Sequence, residues 1–155
     1  MKFCSFETKG VCSLSLLLKN QVERVMSTKV LIVEDDALIA LGITDVLNFA
    51  GYVVIGPARR VSEAIALAET ACPRVAVVDI ALAGQRDGIE GANILKGKGT
   101  EVVFVSAQSG DETLARAMAL KPAAILSKPC LPRDLLAAVR QAAGPEHRCG
   151  PALWV

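Results

Sequence analysis

Histidine is almost absent from this chain of 155 residues, and its scarcity removes several classes of site. The single histidine, His147, lies in a C-terminal tail that is rich in glycine and proline. Metal sites built on histidine, and Ser-His-Asp triads, need a histidine held beside other functional groups. We therefore exclude both kinds of site as the basis of function.

The cysteines lack the spacing of a metal or redox site. They are odd in number and contain no C-x-x-C pair: Cys4, Cys12, Cys72, Cys130 and Cys149. Zinc and redox motifs bring cysteines close together in the sequence, and secreted disulfide frameworks use an even number. A reducing compartment is the simpler interpretation, and we expect a cytoplasmic location.

Neither a strong net charge nor a long apolar run is present. The formal net charge is +1, which gives no electrostatic argument for direct binding of nucleic acid or of an anionic membrane. The apolar run at residues 11–18 is far shorter than the ~20 residues that span a bilayer. It is also not followed by the small residues of a signal-peptide cleavage site. We predict that residues 1–27 form an N-terminal extension outside the folded domain.

The rest of the chain has the composition of one globular domain. Hydrophobic residues make up 52% and charged residues 21%, and the length suits one hydrophobic core rather than two. We predict the domain at residues 28–143, followed by a tail at residues 144–155 with no second folded module.

Short β-branched runs alternate with longer helical patterns from residue 29 onward, which is typical of a parallel α/β sheet. Strands are predicted at residues 30–33, 52–55, 75–79, 102–105 and 124–127, and helices are predicted to begin near residues 36, 62, 87, 111 and 131. Right-handed crossovers with one reversal of the chain favour the strand order 2-1-3-4-5. The prediction is a flavodoxin-like α/β fold, a doubly wound (βα)5 parallel sheet.

Polar side chains follow four of the predicted strands at their carboxyl ends. They are Glu34, Asp35 and Asp36 after strand 1, Asp79 at the end of strand 3, Ser106 after strand 4 and Lys128 after strand 5. The carboxyl ends of parallel strands meet at one edge of the sheet, and ligands bind there where the strand order reverses. We therefore expect these side chains to meet.

Three carboxylates at one place repel each other unless they are protonated or bridged by a cation. Mg²⁺ suits this position, because it prefers oxygen ligands and is held by a few carboxylates together with water and phosphate oxygens. Glu34, Asp35 and Asp79 could supply the carboxylates, and the backbone carbonyl of Ala81 is a further candidate ligand. The sequence thus predicts a Mg²⁺ site.

The same place has the groups for phosphoryl transfer to a carboxylate. Asp79 is a competent nucleophile toward phosphorus if the charge that develops on the phosphoryl oxygens is compensated. Mg²⁺ and the ammonium group of Lys128 would compensate it, and the Ser106 hydroxyl would donate a hydrogen bond to a phosphoryl oxygen. These residues predict an aspartyl phosphate at Asp79.

The order of these residues resembles the receiver domain of bacterial two-component response regulators. The resemblance covers about residues 29–143 and includes the Lys-Pro pair after strand 5. It implies that Asp79 is the phosphoacceptor, that Glu34 and Asp35 help to bind Mg²⁺, and that Ser106 is the switch hydroxyl. It also implies that Lys128 contacts the phosphoryl group.

The resemblance further implies partners and an output. The phosphodonor would be a sensor histidine kinase or a histidine phosphotransfer protein, and the output would pass to a downstream protein. Residues 51–58 and the loop after Asp79 look like the stand-alone receivers frequent in alphaproteobacteria, so we expect no output domain. Homodimerisation through helix 4, strand 5 and helix 5 is a further expectation. Catalysis would be limited to Mg²⁺-dependent self-phosphorylation and slow self-dephosphorylation.

The sequence departs from the usual receiver pattern near the output side. Ile125 stands where strand 5 commonly has an aromatic residue, and Cys130 follows Lys-Pro where phenylalanine is frequent. The loop after Asp79 lacks the usual proline. These departures put an aromatic-gated output in doubt.

Each motif taken alone has a simpler interpretation. The acids at residues 34–36 could cap a helix, Asp79 could cap a loop, Ser106 could satisfy local backbone groups and Lys128 could be solvated. Their joint placement on one sheet edge favours the functional interpretation. We assign Asp36 to capping of the first helix, Asp87 and Gly88 to the start of the third helix, and Cys130 to an inert, partly buried thiol.

Two other functions remain open. A phosphorylation-independent interaction domain could keep the same fold, although the intact acid set argues against it. A phosphatase with an aspartyl nucleophile generally needs a second aspartate two residues later as its acid and base, and Ala81 stands there.

Overall fold

A computed structural model describes residues 18–19, 28–82, 88–107 and 110–144. The elements are β1 (Lys29–Val33), α1 (Ala37–Phe49), β2 (Val53–Ala58), α2 (Val61–Ala71), β3 (Val75–Asp79), α3 (Gly88–Gly97), β4 (Glu101–Ser106), α4 (Asp111–Ala119), β5 (Ala124–Ser127) and α5 (Pro132–Ala143). No helix in these ranges is long and apolar enough to cross a membrane.

The five strands form one parallel sheet in the order β2-β1-β3-β4-β5. The predicted fold and strand order are therefore confirmed. Strand β1 lies between β2 and β3, so the chain reverses direction across the sheet at the β1–β3 boundary. This boundary is the switch point at which α/β sheets of this kind bind ligands.

The hydrophobic core lies on both faces of the sheet. Helices α1 and α5 cover one face and contact strand residues such as Ile32 and Val77. Helices α2, α3 and α4 cover the other face and contact residues such as Val78 and Phe104. Because successive side chains of a strand point to opposite faces, the apolar runs of β1, β3 and β4 fill both layers and are buried almost completely.

Strand β2 is longer than predicted. The prediction ended it at residue 55, but it continues through Gly56 and Pro57 to Ala58, which pairs with Val33 after an irregularity in the register. Gly56 has φ +96 there, a backbone conformation that favours glycine. Pro57 is tolerated because β2 is an edge strand, where a missing N–H donor breaks no ladder on the open side.

Helix α2 begins at Val61, one residue earlier than predicted. Its N-cap is Arg60, whose side chain makes no capping hydrogen bond. Instead, Glu63 Oε2 accepts a hydrogen bond of 2.9 Å from the backbone N–H of Arg59. A carboxylate of the first turn thus binds the backbone directly before the N-cap.

Helix α3 forms although it contains several glycines, which have low helix propensity. Gly91 is buried, and a Cβ atom there would lie 2.8 Å from Cγ2 of Val61. The glycine therefore permits close packing between α2 and α3, which offsets its low helix propensity. Asp87, predicted to begin this helix, lies outside the described residues.

The boundaries of the domain itself stay predictions. Residues 1–27, apart from 18–19, and residues 145–155 lie outside the described part of the chain. The described residues run continuously from Thr28 into β1, and they end at Gly144, directly after α5.

Asp36 caps helix α1, as predicted. Its side-chain Oδ1 accepts hydrogen bonds from the backbone N–H groups of Leu38 at 2.8 Å and Ile39 at 3.0 Å. These two N–H groups belong to the first turn and have no acceptor within the helix. The cap fixes the start of α1 directly beyond the acids that end β1.

We expect Asp36→Ala to lower the free energy of unfolding by about 1 kcal/mol, because both N–H groups lose their acceptor. Urea denaturation followed by circular dichroism measures the change. Asp45→Ala is the matched control, since Asp45 is exposed in the same helix and caps nothing. The control should change the free energy by less than about 0.5 kcal/mol. Equal losses in the two variants would contradict the capping role.

Candidate functional site

The predicted site residues lie at the carboxyl edge of the sheet, where hydrogen bonds between neighbouring strand ends hold the backbone. Glu34 N–H donates to the carbonyl of Ala58 at 2.9 Å. Lys128 N–H donates to the carbonyl of Ser106 at 2.7 Å. The residues that follow the strands are therefore as firmly placed as the strands themselves.

Three carboxylates meet at this edge. Glu34 and Asp35 follow β1, and Asp79 is the last residue of β3, the neighbouring strand. One oxygen from each lies within 4.8 Å of the others. Glu34 is 2% exposed and Asp79 is 6% exposed, whereas Asp35 is half-buried. The sheet thus concentrates negative charge at a place with little solvent.

Lys128 bridges two of the three acids. Its Nζ donates to Oε2 of Glu34 at 2.6 Å and to Oδ2 of Asp79 at 2.8 Å. Such short bonds between charged groups are about twice as strong as bonds between neutral groups. The sequence predicted that Lys128 lies at this edge and contacts a phosphoryl group; its direct bonds to Glu34 and Asp79 were not predicted.

The pKa values of this cluster reflect burial and excess negative charge. Burial raises the pKa of the Glu34 carboxyl, the hydrogen bond from Lys128 offsets part of the rise, and the charge of Asp79 adds to it. Burial alone would lower the pKa of the Lys128 ammonium group. The hydrogen bonds and charges of Asp79 and Glu34 outweigh burial and raise it, so Lys128 stays protonated.

The Asp79 carboxylate is held at both oxygens. Oδ1 accepts a hydrogen bond of 2.9 Å from the backbone N–H of Ala81, and Oδ2 accepts the bond from Lys128. The side chain therefore has one orientation at the mouth of the acid cluster. Ala81 contributes its N–H to this arrangement, and the role of its carbonyl as a metal ligand stays a prediction.

Ser106 is the last residue of β4 and lies at the same edge. It is 8% exposed. It follows Val105, which pairs with Asp79 across the β3–β4 boundary. The hydroxyl-bearing residue and the acid thus end adjacent strands.

The carboxylate set fits a hard divalent cation. Two oxygens bound to one Mg²⁺ lie up to about 4.2 Å apart, because each Mg–O distance is about 2.1 Å. The oxygens of Glu34, Asp35 and Asp79, within 4.8 Å of one another, are close to that spacing. When all groups are charged, three carboxylates face one ammonium group, and a doubly charged ion balances the remainder. Such an ion has to share Glu34 and Asp79 with Lys128.

One residue of this site was not predicted from the sequence. Gly88, the first residue of α3, approaches the backbone of Asp79 so closely that a Cβ atom there would lie 1.9 Å from the Asp79 carbonyl oxygen. A glycine at the start of a predicted helix, shortly after a candidate nucleophile, was the available signal. It was interpreted only as part of the helix start.

The positions that depart from the usual receiver pattern are partly buried. Ile125 packs against the core on the α2–α4 face of the sheet. Cys130 packs against the opposite core, and burial raises the pKa of its thiol. The raised pKa agrees with an inert thiol, because the thiolate is the reactive form.

The comparisons with known proteins agree with this geometry. The model of the response regulator receiver domain matches residues 30–140. Phyllosphere-induced regulator PhyR of Methylorubrum extorquens is 34% identical over 119 residues, which cover 76% of this chain and 44% of that protein. Transcriptional regulatory protein PdtaR of Mycobacterium tuberculosis is 34% identical over 115 residues, which cover 74% of this chain and 56% of that protein. The chain thus spans about half the length of these curated relatives.

A solved structure gives the same result. The CheY-like response regulator receiver domain protein of Methanospirillum hungatei superimposes with a TM-score of 0.69 at 27% identity, over 75% of this chain and 93% of that one. The matched residues 30–140 include every residue of the acid cluster and all of the sheet and helices except Lys29 and the last turn of α5. The chain belongs to the response regulator receiver domain family of two-component signalling proteins.

Proposed function

We propose that the protein is a phosphorylation-dependent module of a two-component phosphorelay, which accepts a phosphoryl group on Asp79 from a histidine kinase or a histidine phosphotransfer protein. The observation that carries the proposal is the Asp79 carboxylate, fixed by Lys128 and by the Ala81 N–H beside two further acids. A fixed carboxylate next to a cation site suits transfer of a phosphoryl group, which depends on positioning and charge compensation.

The proposed transfer uses the residues as follows. A carboxylate oxygen of Asp79 attacks the phosphorus of a phosphohistidine, the N–P bond breaks, and the imidazole nitrogen keeps the electron pair and takes up a proton. Lys128 compensates the charge on the phosphoryl oxygens, and the Ser106 hydroxyl donates a hydrogen bond to one of them. Mg²⁺, held by Glu34, Asp35 and Asp79, supplies further charge compensation when bound.

Self-phosphorylation and slow self-dephosphorylation are the only catalysis that we propose. A phosphatase that acts on outside substrates needs a positioned acid to protonate the leaving group. The position two residues beyond the nucleophile is Ala81, whose side chain cannot donate a proton. The phosphoryl group is therefore a signal that reaches another protein or is passed onward.

An apolar stripe on α1 is the surface that we propose for the phosphodonor protein. Leu38 is 80% exposed, Leu41 is 57% exposed and Phe49 is 97% exposed. They lie on the side of α1 opposite to its buried residues, and the stripe begins two residues beyond Asp36 at the edge of the site. Exposed apolar patches beside a reactive group indicate a protein-binding surface.

We propose a different surface for contact with the downstream protein. Helix α4 exposes Leu114 and Met118, and Leu131 is exposed between β5 and α5. These side chains form the side of the domain that contains α4, β5 and α5, which lies across the sheet from β2. We propose this side for binding of a downstream protein or for homodimerisation, in the cytoplasm.

We expect the protein to gain the mass of one phosphoryl group when it is incubated with acetyl phosphate and Mg²⁺. Asp79→Asn should abolish the gain, because an amide is not a nucleophile toward phosphorus. Asp45→Asn removes an exposed acid in the middle of α1 and should leave the gain unchanged. Mass spectrometry of the intact protein measures the result. A mass gain that survives Asp79→Asn would falsify the assignment, and no gain in the parent protein would favour the phosphorylation-independent interaction domain.

We expect Lys128→Met to separate cation binding from phosphoryl transfer. Mg²⁺ affinity should rise by about tenfold or more, because an ammonium group that competes for Glu34 and Asp79 is removed. The rate of phosphorylation by acetyl phosphate should fall by about a hundredfold, because the charge on the phosphoryl oxygens loses its compensation. Isothermal titration calorimetry and a phosphorylation time course measure the two effects.

Lys98→Met is the matched control for this change. Lys98 pairs with Glu69 on the surface at 2.9 Å, away from the acid cluster. Loss of its charge should leave both Mg²⁺ affinity and phosphorylation rate close to those of the parent protein. Weaker Mg²⁺ binding by Lys128→Met would contradict competition between the lysine and the cation.

We expect Leu41→Glu to slow phosphotransfer from a protein donor by about tenfold or more, because a charge is placed in an apolar contact. The donors are the histidine kinases and phosphotransfer proteins encoded in the same genome, tested one at a time. Phosphorylation by acetyl phosphate should be unchanged, since it needs no protein contact. Met118→Glu introduces the same charge at an exposed apolar residue of α4 and should leave transfer intact. Equal effects of the two variants would argue against the α1 surface.

A further inference from the structure

Helix α3 begins in contact with the backbone of Asp79, and a glycine makes this contact possible. A Cβ atom at Gly88 would lie 1.9 Å from the carbonyl oxygen of Asp79, 2.9 Å from its carbonyl carbon and 3.1 Å from Cα of Ile80. All three are backbone atoms, so no side chain could rotate away to make room. Gly88 also donates its N–H to the carbonyl of Ile80 at 3.3 Å.

Space, and not backbone conformation, is what requires glycine here. Among the described residues, the glycines with positive φ are Gly51, Gly56, Gly99 and Gly144, and Gly88 is not one of them. An alanine could therefore adopt the same dihedral angles, but its methyl group would overlap with Asp79. The requirement for glycine comes from the strand end and not from the helix.

Two other glycines of α3 differ in what they contact. At Gly91 a Cβ atom would meet only the side chain of Val61, at 2.8 and 3.0 Å, and at Gly97 it would meet nothing within 4 Å. A Cβ atom would therefore meet the backbone of Asp79 at Gly88, a core side chain at Gly91 and nothing at Gly97. The three glycines form a matched series within one helix.

We infer that Gly88 is a positioning residue for Asp79, and that the direct backbone contact between α3 and the end of β3 sets where the Asp79 carboxylate lies. The strand end is held from the other side, because Ile80 N–H donates to the carbonyl of Val105 at 3.1 Å. Asp79 therefore sits between β4 and the first residue of α3. The inference rests on the proposed function only where it concerns phosphorylation.

A methyl group at Gly88 would force the first residue of α3 away from the end of β3. Real Cβ atoms essentially never come closer than 3.0 Å to such neighbours, so the helix start and the strand end have to move apart by roughly 1 Å. The carboxylate depends on two bonds of 2.8 and 2.9 Å, from Lys128 and from the Ala81 N–H. A misplacement of about 1 Å at a reacting group can lower a rate about a hundredfold.

The test compares Gly88→Ala, Gly91→Ala and Gly97→Ala in three measurements. Urea denaturation gives stability, phosphorylation by acetyl phosphate at saturating Mg²⁺ gives the rate, and the amide resonance of Ala81 reports its bond to Asp79 Oδ1. The Ala81 resonance is recorded without Mg²⁺ or phosphodonor and is calibrated with Asp79→Asn. It tests the position of the carboxylate even if no phosphorylation occurs.

We expect Gly88→Ala to shift the Ala81 resonance toward that of Asp79→Asn and to lower the phosphorylation rate between about tenfold and a hundredfold. Gly91→Ala should lose stability through its clash with Val61 but keep the parent resonance and rate. Gly97→Ala should keep the parent resonance and rate and should gain slightly in stability, because its methyl group lies in open space. If Gly88→Ala has the parent resonance and rate, or if Gly91→Ala changes them equally, the inference is wrong. Failure of the parent protein to accept a phosphoryl group would instead count against the proposed function.

A stabilised form of the protein keeps the test usable if Gly88→Ala alone does not fold. Gly42→Ala and Gly97→Ala both place a methyl group in open space within a helix, and alanine stabilises such positions relative to glycine. Gly88→Ala is therefore also made together with these two changes. If that chain still fails to fold, the inference is overturned, because the cost then lies in the whole fold and not in the position of Asp79.

Discussion

A lysine shared by two buried carboxylates is the interaction on which the site depends. Lys128 lies 2.6 Å from Glu34 and 2.8 Å from Asp79, and both acids are almost completely buried. Moving charges out of water costs several kcal/mol per ion, and their attraction offsets this cost only if the remaining lone pairs are also bonded. The second oxygens of Glu34 and Asp79 meet that condition, because they accept backbone N–H groups of Asp36 and Ala81. The charge is still not balanced, because one ammonium group faces two carboxylates and Asp35 adds a third. The arrangement therefore suits a cation better than a balanced ion pair would.

An unbalanced cluster of this kind persists only on a rigid frame. The frame consists of the parallel strands, whose apolar residues are buried on both faces. Its carboxyl edge is held by backbone hydrogen bonds such as those from Glu34 to Ala58 and from Lys128 to Ser106. Repulsion between the acids acts against these bonds and against the packing of the core, so it cannot relax by separation of the strand ends. The energy of core burial thus keeps together groups that would otherwise move apart.

The strand ends could be predicted from the sequence because the pattern is local. An apolar run followed by a polar residue marks the end of a buried strand, and parallel topology brings such ends together. The bond between Lys128 and Glu34 could not be predicted, because it joins side chains 94 positions apart and depends on how far each reaches. The position of Gly88 at a helix start could be predicted, but its contact with the backbone of Asp79 could not, for a related reason. A glycine in sequence looks the same whether it meets backbone, a side chain or open space. The extension of β2 through Pro57 was missed because proline is usually a strand breaker, and only the position of β2 at the sheet edge makes it acceptable.

The shared lysine also constrains how a phosphorylated site could signal. A phosphoryl group adds close to two negative charges at Asp79. The ammonium group of Lys128 cannot compensate these charges and also keep its full bond to Glu34. Lys128 would then move toward the phosphoryl group, and its backbone is bonded to Ser106 at the end of β4. The change would therefore reach the ends of β4 and β5 together, next to α4 and α5. Ile125 on β5 is partly buried in the core and has no ring to turn between two positions. A phosphorylation switch in this domain would have to act through the backbone around Ser106 and Lys128, because Ile125 offers no aromatic ring at that position of β5.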